Sequence, residues 1–348
     1  MNKSYCPVGA CKSGDILAVD VYNSQGALVA VKNTVINQSI LNTFRNMGIE
    51  GVWILCEPDK ISSANKQDAF QKFHADYINN ICIVEGITKD IISGRGINLS
   101  QLDFLSDSIL NDIRNCKYLL EFLDSIKDYS SYTYTHSLNV GFYSALISKW
   151  LNCPLHQIKD IIKSGLLHDL GKTKIPVALL EKKERLPLEE FECMKRHALY
   201  GYNLIKDLEE LSFDIKMAVL MHHEREDGSG YPLNLKGNRL NLNTKVVSIA
   251  DTYDAITSER PYKKAETPFK AFKILLAECL STYDVYILNV FIKNLSYHYI
   301  GSKVRYNSGE VGEIVHIPLH NITKPIVRIN GSLVDLSREK NLRISSFI

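Results

Sequence analysis

Leu167-His168-Asp169-Leu170-Gly171-Lys172 is the stretch on which the reading turns. An apolar run ends there in an imidazole and a carboxylate on adjacent residues. Buried polar groups without partners cost a few kcal/mol, so such a pair demands a partner, and a metal ion is the natural one. Adjacent residues on a helix point about 100° apart. The imidazole can therefore reach one ion while the carboxylate bridges to a second. A similar pairing recurs in Met221-His222-His223-Glu224, again behind apolar residues. Val247-Ser248-Ile249-Ala250-Asp251 is a third apolar run closed by a carboxylate. Imidazole with carboxylate suits iron, manganese or zinc rather than calcium. Two such pairs favour a two-metal centre, the usual machine for phosphoester hydrolysis.

The histidines support this reading by their placement. The chain has 10, and His136, His156, His168, His197, His222 and His223 fall in one region. His156 follows Pro154 at a polar helix start and reads as a surface residue. His74, His298, His316 and His320 lie outside the region and read as structural or solvated. His197 alone would be an ordinary core histidine; beside the other four it is a candidate ligand.

Around this region the pattern is helical from about 128 to 297. Tyr143, Leu146, Ile147 and Trp150 share one face, and Leu199, Tyr202, Leu204 and Ile205 another. Upstream, residues 61–127 are mostly polar at helical spacing. Their apolar stripe of Leu105, Ile109, Ile113, Leu119, Leu120 and Leu123 suits a bundle or a dimer interface. Gly94-Arg95-Gly96 reads as a turn. Residues 1–60 read as a small α+β regulatory module. In it the strand-like runs 16–21 and 27–31 flank a turn at 23–26, and a helix bearing Leu41, Phe44 and Met47 leads to a strand at 52–55. From 298 to 348, short alternating runs between turns at Asn307-Ser308-Gly309, His320-Asn321 and Asn330-Gly331 predict a small β-barrel or meander. The expected fold is thus multidomain: a small α+β module (1–60), a helical linker (61–127), an all-α core (128–297) and a small all-β module (298–348).

Composition narrows the partners. The 348 residues carry 41 Lys and Arg against 39 Asp and Glu, a net charge of +2. That gives no reason to expect a nucleic-acid polymer or an acidic membrane as partner, so an anionic ligand must meet a local site. No segment is long and apolar enough to span a bilayer, Met1–Gly14 has no apolar signal core, and the expected location is the cytoplasm. The eight Cys form no C-x-x-C pair and read as free thiols.

The strings now in hand resemble the HD-GYP phosphodiesterases, a branch of the HD-domain metallohydrolases. In order they are Tyr132-Thr133-Tyr134-Thr135-His136-Ser137, His168-Asp169-Leu170-Gly171-Lys172, and His197 with Gly201. His222-His223-Glu224-Arg225 and Asp227-Gly228-Ser229-Gly230-Tyr231-Pro232 follow, and the last is Asp251-Thr252-Tyr253-Asp254 through Arg260-Pro261-Tyr262. Together they span about half the chain. The resemblance implies hydrolysis of cyclic di-GMP to pGpG, with GMP from a second cleavage. It implies His136, His168, Asp169, His197, His222, His223 and Asp251 as ligands of two divalent ions, iron or manganese before zinc. Asp169 would be the bridge and, with Lys172, the catalytic pair. Lys172, Tyr231, Arg260 and Lys263 match substrate-contacting positions, and these cations would supply the local positive charge that the net balance lacks. Gly228 and Gly230 are expected at positive φ beside the substrate. Two departures stand out. Tyr132 occupies the position where some members carry a Glu for a third metal, and Asn234 replaces a Gly after the GYP segment. Competing readings are an HD hydrolase of another nucleotide and a non-catalytic cyclic di-GMP sensor. A homodimer through the helices is the expected assembly.

Overall fold

The computed structural model describes residues 3–23, 25–55, 63–116, 118–126, 132–182, 184, 186–259, 264–278, 281–318, 321–339 and 341–348. Its contacts group the chain into two units, residues 1–67 with 292–348 and residues 68–291. The expected fold class holds: small strands and a helix first, an all-helical core, and a five-stranded sheet last.

In the first unit β1 (Lys3–Pro7), β2 (Ile16–Leu17) and β5 (Gly51–Leu55) form an antiparallel sheet in the order β1-β5-β2. β3 (Val21–Tyr22) and β4 (Leu28–Ala30) make a separate hairpin, and α1 (Gln38–Asn46) lies between β4 and β5. The single run anticipated over 16–21 is therefore two strands, because Leu17 and Val21 serve different sheets. Asn23 builds the turn: its Oδ1 accepts from Gln25 N and Ala27 N at 3.0 and 2.9 Å. Leu17, Val21, Ile36, Leu41, Phe44 and Val52 form the local core, while Met47 caps α1 and is exposed. In the same unit β6 (Lys303–Tyr306), β7 (Val311–His316), β8 (Ile326–Ile329), β9 (Ser332–Asp335) and β10 (Ile344–Phe347) form an antiparallel sheet ordered β10-β6-β7-β8-β9. This is the meander of the two alternatives, with β10 returning beside β6.

The helical unit runs from α2 (Ser63–Ile92) through α3 (Leu99–Asn115), α4 (Leu119–Ile126), α5 (Tyr132–Trp150) and α6 (Leu155–Leu167). After a 3₁₀ turn at Leu170–Lys174 come α7 (Val177–Leu180), α8 (Leu188–Ile205), α9 (Phe213–Met221), α10 (Leu242–Thr257), α11 (Pro268–Glu278) and the start of α12 (Val285–His298). The apolar stripe of α3 and α4 packs into this bundle: Leu105, Ile109, Ile113, Leu119 and Leu123 are buried. α3 lies against both α5 and α6. On α8 the expectation shifts. Leu199 is exposed, and the inward stripe is His197, Ala198, Gly201 and Ile205, about one position off the apolar count. α5 and α6 cross closely because Gly165 meets Gly141 backbone to backbone; a Cβ at Gly165 would lie 3.1 Å from Gly141 Cα. That crossing brings the start of α5 toward the end of α6. Among the described residues no helix is long and apolar enough to cross a membrane, and Cys6, Cys11, Cys82, Cys116, Cys153 and Cys193 are free thiols. Cys56 and Cys279 lie outside the described residues.

Candidate metal centre

Five imidazoles and two carboxylates converge in the helical unit. α5 contributes His136, the end of α6 contributes His168, and α8 contributes His197. Asp169 precedes the 3₁₀ turn, His222 and His223 follow α9, and α10 contributes Asp251. His168 and His222 sit at helix C-caps, where the chain leaves the helix and its last carbonyls point forward.

The hydrogen bonds at the outer ring nitrogens orient three of the rings. His168, His197 and His222 each direct Nδ1 at the carbonyl three residues back, to Gly165 at 2.7 Å, Met194 at 2.7 Å and Val219 at 2.9 Å. A carbonyl only accepts, so Nδ1 carries the proton and Nε2 presents its lone pair inward. His136 Nδ1 instead donates to Asp254 at 2.7 Å. This is the arrangement by which proteins hold imidazole ligands in one tautomer. Ser248 Oγ donates to the His222 carbonyl, fixing that corner against α10.

Asp169 sits between two trios. Its Oδ2 lies 3.3 Å from His168 Nε2 and 3.6 Å from His136 Nε2. Its Oδ1 lies 3.5 Å from His197 Nε2 and 4.0 Å from His222 Nε2. Asp251 Oδ1 is 3.2 Å from His136 Nε2, and its Oδ2 is 4.0 Å from His223 Nδ1. His136, His168 and Asp251 place ligand atoms within 4.8 Å of one another, and so do His197, His222 and His223. The donor set fits divalent ions of the iron, manganese and zinc class. One observation carries the fit: His168 Nε2 is wholly buried and makes no hydrogen bond, an inward lone pair beside Asp169 that suits a cation.

The protonation states agree. Burial pushes the Asp169 carboxyl up, yet Lys172, His168 and His197 outweigh it and hold the group well below the usual carboxylate range. Asp251 is likewise held low against its burial, by His136 first and then His168 and His223. Burial and neighbouring imidazoles keep His222 and His223 well below the ordinary histidine value, and burial lowers His197, so these rings stay neutral. Burial works to lower His136 as well, but Asp251 and Asp254 raise it to about 9. The same negative field would draw a cation.

Gly171 lets the 3₁₀ turn press onto α8: a Cβ there would overlap the His197 carbonyl and the Gly201 nitrogen. Lys172 reaches back to Asp169 Oδ2 at 2.5 Å with its amine partly exposed. Tyr231 stacks on His223, with ring centroids 4.6 Å apart. Lys195 stands 5.5 Å over the same tyrosine ring. The loop beyond is tied down by the buried Glu224, whose Oε1 accepts from Leu233 N at 2.6 Å and Oε2 from Leu235 N at 3.0 Å. Of the two glycines, Gly228 has the expected positive φ of 82°. Gly230 does not; it is needed because a Cβ would strike Glu224 Cα and the His223 carbonyl. Asn234 has φ 54°, so it occupies the left-handed region that asparagine tolerates in place of glycine. Arg260 and Lys263 lie outside the described residues. His156 is exposed, as the sequence suggested.

Sequence reasoning passed over Asp254 and Asn139 as site residues. Each lies three positions beyond a candidate ligand, Asp251 and His136, and that spacing puts them on the same helix face. Another grouping, Cys6, Cys11 and Asp15, brings ligand atoms within 4.8 Å in the first unit. Burial and the neighbouring Cys6 push the Cys11 thiol up to about 12, so it stays protonated and is a poor ligand.

Residues 123–287, the part of the helical bundle that gathers these histidines and aspartates, match the family model described as HD domain. Within that class the chain is similar to curated cyclic-dinucleotide phosphodiesterases. It is 30% identical over 246 residues to a cyclic di-GMP phosphodiesterase of Pseudomonas aeruginosa, covering 71% of this chain and 59% of the relative. It is 34% identical over 146 residues to a 3'3'-cGAMP-specific phosphodiesterase of Vibrio cholerae, covering 42% and 32%. An HDG"Y"P protein from Bdellovibrio bacteriovorus shares the fold, with a TM-score of 0.54 and 15% identity over 84% of this chain and 99% of that one. The chain thus spans less than two thirds of the length of these curated relatives.

Proposed function

We propose that the protein is a metal-dependent phosphodiesterase that hydrolyses cyclic di-GMP to pGpG at a two-ion centre. The observation that carries this reading is Asp169, whose two oxygens each face a separate set of imidazoles. One ion would be held by His136, His168, Asp169 and Asp251, the other by Asp169, His197, His222 and His223. Divalent ions supply Lewis-acid stabilisation of phosphoryl oxygens and activate water near neutral pH. The protein's own groups do the rest. Lys172 brings a cation to the rim, where a phosphate of the substrate would meet it. Tyr231, held by its stack on His223, offers an edge and face to a base or ribose. Arg260 and Lys263 would complete the anion site. Iron, manganese and zinc all suit this ligand set, and the family resemblance puts iron or manganese first.

The test is release of pGpG and GMP from cyclic di-GMP by Mn(II)- or Fe(II)-loaded protein, followed by chromatography. Asp169→Ala should abolish turnover while the helical circular dichroism persists. Metal-loaded protein that binds cyclic di-GMP without cleaving it would leave the sensor reading instead. The likeness to a 3'3'-cGAMP-specific enzyme favours one further reading, a mixed purine cyclic dinucleotide as substrate. Equal assays with both dinucleotides separate the two.

A further inference from the structure

Beyond the centre a chain of hydrogen bonds runs from α2 to one ligand. Tyr77 OH donates to Asn139 Oδ1 at 2.7 Å. Asn139 Nδ2 donates to Asp254 Oδ1 at 2.9 Å, and Asp254 Oδ2 accepts from His136 Nδ1 at 2.7 Å. Ser258 Oγ also donates to Asp254 Oδ1, at 2.8 Å. Tyr77, Asn139, His136 and Asp254 are all at most 2% exposed, so water does not compete for these bonds. The direction of each follows from its neighbours. The Asp254 oxygens accept from three donors. Asn139 must therefore turn its NH₂ to Asp254 and its carbonyl to α2, where Tyr77 is the donor that holds the amide that way round. Burial, with the Asp254 charge adding to it, pushes the Tyr77 hydroxyl far up, so it remains a donor. Phe73 and Phe142 pack on the tyrosine ring and fix its place.

We propose that Tyr77 is a positioning residue for the metal centre, setting the orientation of His136 through Asn139 and Asp254. This makes α2 part of one half of the centre and not of the other. Asp254 touches His136, whereas His168, His197 and His222 are oriented by the carbonyls of their own helices. The inference rests on the two-ion reading above, but it concerns ion binding rather than turnover.

Calorimetric titration of the metal-stripped full chain with Mn(II) tests it. Partners that orient a ligating histidine are worth 10–100-fold in affinity, and Tyr77 acts through both Asn139 and Asp254, so Tyr77→Phe should weaken one binding event by about tenfold, the low end of that range, and leave the other unchanged. Excess Mn(II) should restore kcat toward the parent value. Ser258→Ala, which strips a second donor from Asp254, should move the same event. Ile87→Ala, which disturbs the packing of α2 almost three turns beyond Tyr77, should leave both events in place. Unchanged titrations for Tyr77→Phe and Ser258→Ala would overturn the proposal, and so would equal weakening by Ile87→Ala, which would reduce the relay to packing. Because binding is read separately, a parent protein that takes up Mn(II) and releases no pGpG would count against the phosphodiesterase reading and not against this one.

Discussion

At the scale of single residues, the centre shows how burial and charge divide the work. Asp169 and Asp251 are buried yet stay ionised, because imidazoles and Lys172 surround them. Asp112 on α3 has only Lys72 to oppose its burial. Burial pushes its carboxyl up from 3.8 to about 6, Asp76 adds to the shift, and its buried Oδ2 makes no hydrogen bond. The sign of its effect on stability follows. Between pH 4 and 6 the folded chain holds a proton that the unfolded chain has released, so stability falls as pH rises through that window. Above pH 6 the folded state carries an unfavourable buried charge. Two units are worth nearly 3 kcal/mol in full, and the group's partial exposure reduces this to about 1 kcal/mol. Asp112→Asn should therefore raise the urea-unfolding free energy by about 1 kcal/mol at pH 8 and by nothing at pH 4. A gain of equal size at both pH values would refute the assignment. The histidines and the two aspartates were legible in the sequence because a carboxylate or imidazole ending an apolar run demands a partner. Tyr77 was not. A lone buried tyrosine on α2 carries no mark of a partner 62 residues away.

At the scale of elements, the centre depends on how closely neighbouring backbones approach. The 3₁₀ turn touches α8 at Gly171, so Gly171→Ala must push the His197 carbonyl, and with it the ring that this helix carries. Overpacking of this kind costs about 1–3 kcal/mol. The expected outcome is a lower melting temperature together with weaker metal retention on dialysis; a variant that retains both would show that the turn can yield. Glu224 plays a different part. Its carboxylate ties down the loop behind Tyr231 by accepting from two backbone amides, Leu233 N and Leu235 N. Glu224→Ala should therefore raise KM for the dinucleotide by about tenfold, since losing buried hydrogen bonds costs about 1–3 kcal/mol, while metal content stays near that of the parent. Metal analysis beside steady-state kinetics distinguishes the two effects. Helix periodicity gave most elements, but it missed the inward face of α8. There the core needed His197, Ala198 and Gly201 for close approach, and it left Leu199 exposed. The 16–21 run split for a comparable reason: strand propensity does not say which sheet each end will join.

At the scale of the whole molecule, the helical unit gathers its ligands from five helices, α5, α6, α8, α9 and α10, and ions that bind only the folded form stabilise it by mass action. Mn(II) at a hundred times its dissociation constant is worth about 2.7 kcal/mol. Treatment with a chelator should lower the melting temperature of the parent and have little effect on Asp169→Ala, as read by the helical circular dichroism signal. Equal melting of the parent with and without chelator would argue that the centre holds no ion. Near-neutral net charge said nothing of this, because composition averages over the chain while the relevant charges sit within a few ångströms of each other. The order of the ligands along the chain also sets a timetable. His136 emerges early during synthesis, and Asp254, its hydrogen-bond partner, follows 118 residues later. At about 5–20 residues per second that interval is on the order of ten seconds. During it the other four imidazoles and Asp169 emerge in turn, all ahead of Asp251 and Asp254. A ribosome-bound fragment ending before α10 is thus a half-made chelator, and capture of the correct ions waits for the last helix of the centre to arrive.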